Sequence, residues 1–350
     1  MAEARLSTPW GPASSFLGRG ALADVYLLAA DEAHPRTAVK VMRKSLLAFL
    51  GAVRSVVQER EALDEACGGG GAALGVVELL GAAHSDALVY LRLKAVLATQ
   101  STSVRVSDVI QTHQSQLAPA MVAFLIGKLS HALAYLHSRN IAHRDLKPEN
   151  VVLAPDGAPV LIDFGCSKVL PEGGATFTYC GTKEYMAPEQ FSRRGHGCAV
   201  DCWALGVMMY LMLLGDTPFE AATANELQAS MGAVSTAYEH LGEEAAGGPA
   251  GLLSGLLCVD PKDRLSSSDV TQHDWCKQRG EFSLPELVAD VAHVMELGRV
   301  NPNSDDEEEQ ILLASERDEL IERSDDMWRK NRAKWEGCFS QAFGCMLDCS

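Results

Sequence analysis

Little in this sequence suits a membrane, a nucleic acid or an oxidising compartment. Its longest apolar run, Cys202 to Leu214, falls short of the roughly 20 residues that a bilayer-spanning helix takes. Basic residues are outnumbered, 30 Lys and Arg against 46 Asp and Glu, and the net charge of −16 argues against nucleic acid or an anionic lipid surface as a general partner. The ten cysteines include no Cys-x-x-Cys pair, so they read as reduced thiols of an intracellular chain and not as a disulfide framework or zinc site. The beginning, MAEARLSTPWGP, lacks the charged-then-apolar pattern of a secretory signal, Ala2 stands where myristoylation needs glycine, and there is no prenylation box. The expectation is a cytoplasmic chain without a transmembrane segment. The nucleus stays open to it, as does thioester lipidation of Cys338, Cys345 or Cys349.

Apolar residues make up 47% of the 350, enough for a sizeable core, and the length allows two domains or one bilobed unit with tails. The acidity is local. Between Ser304 and Met327 eleven carboxylates stand against two arginines, a balance of −9, so the remainder is only mildly acidic.

The most informative stretch is His143-Arg144-Asp145-Leu146-Lys147-Pro148-Glu149-Asn150, with Asp163-Phe164-Gly165 following at the distance of a short β-hairpin. An isolated Asp or Asn in a polar turn is common; the whole octapeptide followed by this tripeptide is not. The pair resembles the catalytic and metal-binding loops of eukaryotic protein kinases. Phosphoryl transfer asks a protein for positioning and charge neutralisation around a triphosphate and its metal. The resemblance therefore implies Asp145 facing the attacking hydroxyl, Asn150 and Asp163 holding magnesium (or manganese), and ATP as cosubstrate.

Other segments extend the resemblance over Phe16 to Cys276. Phe16 to Leu28 reads strand, glycine-rich turn, strand, with Gly18 and Gly20 in the turn and Ala23 where a third glycine is usual. Lys40, in Thr37-Ala38-Val39-Lys40, would reach the phosphates, and Leu17, Val25, Ala38 and Val152 would enclose the adenine. A helix is expected over 55–66. Its Glu59, 19 residues beyond Lys40, would orient that lysine, leaving Glu61 as a solvated charge. The glycine run at 68–71 reads as a flexible connection to strands at 76–80 and 88–93. Either Arg92 or Leu93 stands behind the adenine. Pro119 opens a helix with Met121, Leu125, Leu129, Leu133 and Leu136 on its apolar side. Cys180-Gly181-Thr182-Lys183-Glu184-Tyr185-Met186-Ala187-Pro188-Glu189 resembles the segment that ends a serine/threonine kinase's activation loop, and Lys147 with Thr182 agrees. Asp201 opens a buried helix, and Arg264 is implied to pair with Glu189.

The resemblance implies a bilobed α+β fold. An extension over 1–14 precedes a kinase domain over 15–276, divided into a small, mostly β lobe (15–94) with one regulatory helix and a larger, mostly helical lobe (95–276). A tail follows over 277–350. Arg144 beside the catalytic aspartate implies control by an anion in the activation loop, with Thr178 as the phosphorylated residue, Lys168 as a second cation and an upstream kinase as activator. The segment is most similar to the AGC group, the cyclic-nucleotide-dependent kinases among them, with the calmodulin-dependent group next. Protein substrates follow, and Glu149 suggests basic residues near the acceptor. In the tail, 281–298 reads as an amphipathic helix with Leu287, Val291, Val294 and Leu297 on one side, 303–310 as an acidic linker and 314–347 as a second amphipathic helix. Trp328 to Trp335 resembles a calmodulin target, but Ile321, Trp328, Trp335, Phe339 and Phe343 as a packed stripe is the preferred reading. A scaffold that no longer transfers phosphate is the rival from another class; Ala23 and Arg92 favour it, and retention of Lys40, Glu59, Asp145, Asn150 and Asp163 opposes it.

Overall fold

The computed structural model describes residues 6–30, 36–99, 102–113, 117–192, 195–219, 247–277, 284–296, 321–330 and Phe339. They fall into two compact units, one taking in 6–64, 77–95 and the described tail, the other 65–76 and 96–296.

The first unit is built on an antiparallel sheet of six strands: β1 (Ser7–Thr8), β2 (Gly11–Arg19), β3 (Ala23–Leu28), β4 (Thr37–Arg43), β5 (Leu79–His84) and β6 (Leu88–Lys94), in the order β1-β2-β3-β4-β6-β5. Two helices, α1 (Lys44–Phe49) and α2 (Val53–Cys67), follow β4. Thr37, Val39 and Val41 are buried from alternate positions of β4, the period of two that a pleated strand imposes. Val39 and Val41 join Ala13, Leu28, Ala83 and Tyr90 in one apolar cluster, flanked by Leu6 and Trp10. Residues 6–14 thus belong to the sheet instead of forming a separate extension. Ala13 N–H donates to the Leu6 carbonyl at 2.8 Å, and the Trp10 ring lies over Gly81, where any side chain would crowd it.

The tail packs on this unit. Residues 321–330 are helical, Trp328 and Phe339 are buried, and their rings meet edge to face at 6.0 Å. Lys44 Nζ lies 5.0 Å from the centre of the Phe339 ring, and the Arg323 guanidinium lies 5.6 Å from that of Phe49. The tail stripe is therefore packed at Trp328 and Phe339, while Trp335, Phe343, the acidic linker 303–310 and most of 314–347 lie outside the described residues.

The second unit is mainly helical. Its longest helix, α4 (Pro119–Ser138), follows the short strand β7 (Val104–Arg105) and α3 (Val106–Thr112), and buries Met121, Leu125, Leu129, Leu133 and Leu136. Length and composition alone would let α4 cross a bilayer, but its burial is that of a core helix. Short strands β8 (Ile141–Ala142), β9 (Val151–Leu153), β10 (Pro159–Leu161) and β11 (Lys168–Val169) frame the loops between them. α5 (Pro188–Phe191) precedes α6 (Ala199–Leu214), which is buried on nearly every side and ends at Gly215 in the left-handed region. The described residues of the unit also form α7 (Pro249–Leu256), α8 (Ser267–Gln272), α9 (Asp274–Lys277) and α10 (Leu284–Glu296).

Two expectations need correcting here. The glycine run is no loose tether: Gly71–Leu74 forms a 3₁₀ turn, and Gly69 and Gly71 lie so close to Tyr135 of α4 and to Arg139 at its C-cap that a Cβ would collide with them. Tyr135 donates to the Ala66 carbonyl at 2.6 Å, Arg139 pairs with Glu65 at 2.7 Å, and Val76 bridges Leu161, so 65–76 belongs with the helical unit and not with the small lobe. In α10 the buried face is Leu284, Val288, Val291 and Ala292, rotated from the expected stripe. Leu284 sets that rotation by sealing Gly157, a left-handed glycine with no room for a side chain.

Candidate active site

In the first unit, β4 directs Lys40 and Ala38 to one face, with Val25 and Leu27 opposite them on β3 and Leu91 and Leu93 opposite them on β6. Lys40 Nζ lies 2.6 Å from Glu59 Oε1, with the two side chains 13% and 4% exposed. In so dry a pair each charge offsets the burial of the other, and removing one would strand its partner. Glu61 is exposed. Strand alternation also decides between Arg92 and Leu93. Arg92 lies on the opposite face, where Nε donates to Thr37 Oγ1 at 3.2 Å and the guanidinium stands 5.7 Å from the Trp10 ring centre, whereas Leu93 shares the face of Ala38.

The glycine-rich turn is closed by a hydrogen bond from Gly20 N–H to the Ala23 carbonyl at 2.8 Å and by an Arg19–Asp24 ion pair at 3.0 Å. Gly18 pairs with Val25, and Leu17 is half-buried beside it. Ala23 is already the first residue of β3, 4% exposed, so its methyl fills core and does not line the turn.

In the second unit the loop from β8 to β9 carries His143 to Asn150. Asp145 Oδ1 accepts from Thr182 N–H at 2.9 Å and from Thr182 Oγ1 at 2.8 Å. Asn150 Nδ2 donates to the Asp145 carbonyl at 2.8 Å and to Oδ2 at 3.0 Å, and Lys147 Nζ donates to Thr182 Oγ1 at 2.7 Å while standing 3.8 Å from Asp145 Oδ2. The carboxylate is fixed from three directions. Val152 is buried in β9, opposite Val160.

The loop is strained, with Arg144 at φ 68°, and Asp201 holds it there. This fully buried carboxylate accepts from His143 N–H at 2.9 Å, Arg144 N–H at 2.7 Å and His137 Nε2 at 2.8 Å. Burial alone would raise its pKa; the hydrogen bond and charge of His137 and the amide donors outweigh that and hold it below the ordinary carboxylate value. Asp163, also left-handed at φ 57°, is exposed and accepts from Gly165 N–H at 3.2 Å, while Phe164 is buried edge-on against His143 at 5.0 Å.

Arg144 reaches the activation segment. Its Nε donates to the Cys166 carbonyl at 2.7 Å and its NH1 to Thr178 Oγ1 at 2.6 Å. Lys168 Nζ donates to Thr176 Oγ1 at 3.1 Å, and that hydroxyl lies 3.0 Å from Thr178 Oγ1. Thr176 is buried and exchanges backbone hydrogen bonds with His196, whereas Thr178 is exposed. Among the described residues neither ring nitrogen of His196 has a partner, and burial, with Arg144 adding to it, lowers its pKa toward the neutral ring.

Farther from this cluster, Arg264 makes a two-pronged pair with Glu189 at 2.7 and 3.0 Å. It also donates to the carbonyls of Ala199 and Cys258, both at 2.9 Å, and lies 5.1 Å from the Trp203 ring centre.

A model of the protein kinase domain matches residues 13–276. The chain belongs to the protein kinase family. Among its relatives are Aurora kinase C of Mus musculus, 31% identical over 77% of this chain and 92% of that protein, and Aurora kinase A-A of Xenopus laevis, 34% identical over 74% and 60%. A third is the serine/threonine-protein kinase AtPK1/AtPK6 of Arabidopsis thaliana, 30% identical over 75% of this chain and 54% of that one. Against the second and third the matched region spans less than two thirds of the relative's length. The chain is a serine/threonine protein kinase with the bilobed α+β fold of that family. The AGC-like grouping finds no support in these relatives, two of which carry the name Aurora.

A protein kinase uses ATP and a divalent metal, and the donors of this kinase suit them. Magnesium takes one or two protein ligands and completes its shell with phosphates and water. The hydrogen bonds from Asn150 Nδ2 to Asp145 leave its side-chain oxygen available to a cation, and Asp163 offers an exposed carboxylate. Sequence reasoning treated Thr182 only as a mark of acceptor class and missed that it holds Asp145. His137 was missed altogether, its one signal being a polar residue near the end of an apolar helix.

Proposed function

We propose that this kinase transfers the γ-phosphoryl group of Mg-ATP to serine and threonine hydroxyls of protein substrates, with Asp145 as the base. Mg-ATP, when bound, supplies the phosphoryl group, and the metal neutralises charge between the phosphates. Asn150 and Asp163 would hold the metal, through side-chain oxygens that suit magnesium or manganese. Lys40, oriented by Glu59, neutralises phosphate charge; Leu17, Val25, Ala38 and Val152 enclose the adenine, and Gly18 and Gly20 let backbone amides approach the phosphates. Lys147 places positive charge beside the reacting oxygens. The observation that carries this reading is the three-sided fixing of Asp145 by Thr182, Asn150 and Lys147, because catalysis by positioning requires a base that does not wander. The test is transfer of the terminal phosphate of ATP to a basic protein, abolished by metal chelation. Absence of transfer from Thr178-phosphorylated protein would favour the scaffold. The two features behind that rival now have ordinary roles, Ala23 in the core of β3 and Arg92 on Trp10.

Phosphorylation of Thr178 by an upstream kinase is proposed as the activating event. Its hydroxyl already touches Arg144, and Lys168 is one hydroxyl away through Thr176. A phosphate there would exchange one neutral hydrogen bond for charge-assisted ones. Thr178→Ala is expected to lower activity about 10- to 100-fold relative to wild type shown by intact mass and peptide mapping to carry phosphate at that site. Full activity in the variant would sink the idea. Glu149, exposed beside the catalytic loop, supports a preference for basic residues near the acceptor, which a peptide array would read as enrichment of Arg and Lys. Burial of Trp328 against Phe339 supports the packed tail over calmodulin binding.

A further inference from the structure

Pro9 and Trp10 form the tip of the β1–β2 hairpin, in which Thr8 pairs with Gly11. The buried Thr8 locks this turn: its hydroxyl donates to the Gly11 carbonyl at 2.7 Å and accepts from Trp10 N–H at 3.3 Å. Gly11, at φ 114°, supplies the backbone conformation the turn needs. A turn so fixed holds the indole in one place. The ring lies against Gly81 of β5, where an added Cβ would stand 3.3 Å from it, and the Arg92 guanidinium of β6 is 5.7 Å from its centre.

Gly81 and Arg92 are partners across β5 and β6, at a place where that ladder slips. Leu79 is opposite Leu93, so Leu80 is an extra residue on β5, and it is 40% exposed. β5 is also an edge of the sheet. An edge strand with a bulge and a glycine is poorly held by its own ladder, and an aromatic ring laid over the glycine restores the packing that a side chain would have given.

We infer that Trp10 is a positioning residue for the nucleotide: by covering Gly81 and Arg92 it holds the end of β6 in register and so fixes Leu93, the residue behind the adenine. Arg92 and Leu93 are consecutive and point to opposite faces, so whatever pins the first from outside pins the second inside. Arg92 is pinned twice, by the indole and by Thr37 Oγ1 of β4 at 3.2 Å. Thr37 pairs with Lys94 and Ala38 with Leu93, which ties both apolar residues of the adenine wall to the same clamp. Beyond the bulge, Lys94 N–H donates to the Glu78 carbonyl at 2.9 Å. Without the indole, Gly81 is uncovered and Arg92 keeps only Thr37. The wall then spends part of its time out of place, and apparent affinity falls by the fraction of time lost. None of these residues touches Asp145 or its partners, so the loss falls on nucleotide binding and not on transfer.

This inference rests on the kinase reading of the site. The test uses full-length protein as Trp10→Ala, Arg92→Met, the double variant and Trp10→Phe. Leu6→Ala, which thins the cover of the same apolar cluster, is the control for general loosening. In Trp10→Ala and in Arg92→Met the dissociation constant for Mg-ATP, measured by equilibrium titration, should rise about 3- to 10-fold, and KM for ATP with it. The value of kcat at saturating Mg-ATP and KM for the protein acceptor should stay near wild type. Nucleotide-free Trp10→Ala should exchange its amide hydrogens faster over 91–94. The double variant should bind no more weakly than the weaker single, because both changes remove one shared contact. Trp10→Phe, which keeps a ring over Gly81, should recover most of the affinity. Leu6→Ala should lower the melting temperature and leave the dissociation constant alone. An unchanged dissociation constant in Trp10→Ala, an equal rise in Leu6→Ala, or fully additive losses in the double variant would overturn the inference. Should Trp10→Ala fold poorly, Arg92→Met carries the same comparison with the indole in place. Wild type that binds Mg-ATP without transferring phosphate would count against the kinase reading and leave the binding comparison standing.

Discussion

Asp145→Asn is expected to fold like the wild type and to transfer phosphate about 10²- to 10⁴-fold more slowly, the range a positioned general base contributes. The substitution removes the charge and basicity and replaces Oδ2, which accepts from Asn150 Nδ2 at 3.0 Å, by an amide N–H₂. Its side-chain oxygen can still accept from Thr182 N–H, which now meets the carboxylate at 2.9 Å, so loop geometry should survive. Single-turnover transfer at saturating Mg-ATP, with thermal unfolding as a folding control, separates the two quantities. A variant that keeps most of its rate with an unchanged melting temperature would remove Asp145 from the reaction.

The largest stability effect is expected at a residue that touches nothing reactive. Arg264→Ala should cost about 3–5 kcal/mol, because it leaves Glu189 without the cation that compensates its burial. The Arg264 side chain is fully buried and that of Glu189 is 11% exposed. Arg264→Lys should restore only part of the loss, since an ammonium can neither grip both carboxylate oxygens nor stack on Trp203. A useful control is Arg19→Ala: the Arg19–Asp24 pair has side chains 50% and 21% exposed, and its loss should cost no more than about 1 kcal/mol. Equal melting temperatures for the Arg264 and Arg19 variants would contradict this account.

The positions of the chemistry-bearing residues were legible because each sits in a contiguous motif whose local conformation is set by neighbours in sequence. Contacts made by distant residues were not. The glycine run read as a tether because glycine composition reports freedom of the isolated chain; what removes that freedom is Tyr135 and Arg139, more than sixty residues downstream. Likewise the stripe of α10 was misplaced because Leu287 and Val288 are adjacent apolar candidates, and only Gly157 opposite Leu284 selects between the two rotations. Arg92 could have been assigned from sequence, since alternation along Leu88–Lys94 separates it from Leu91 and Leu93. Residues 6–14 were set outside the domain because a lone tryptophan gives no sign of the glycine it will cover.

Arg144 divides two duties between two of its parts. Its amide is clamped to Asp201 at 2.7 Å and fixes the shape of the catalytic loop, a service that asks for a backbone N–H and tolerance of a left-handed φ of 68° but not for a guanidinium. Its guanidinium touches Thr178 and listens to the activation segment. Architecture is thus written in the main chain and obedience in the side chain. Under the control proposed for Thr178, a descendant that exchanged the arginine would lose that control without redesigning the machinery that moves phosphate.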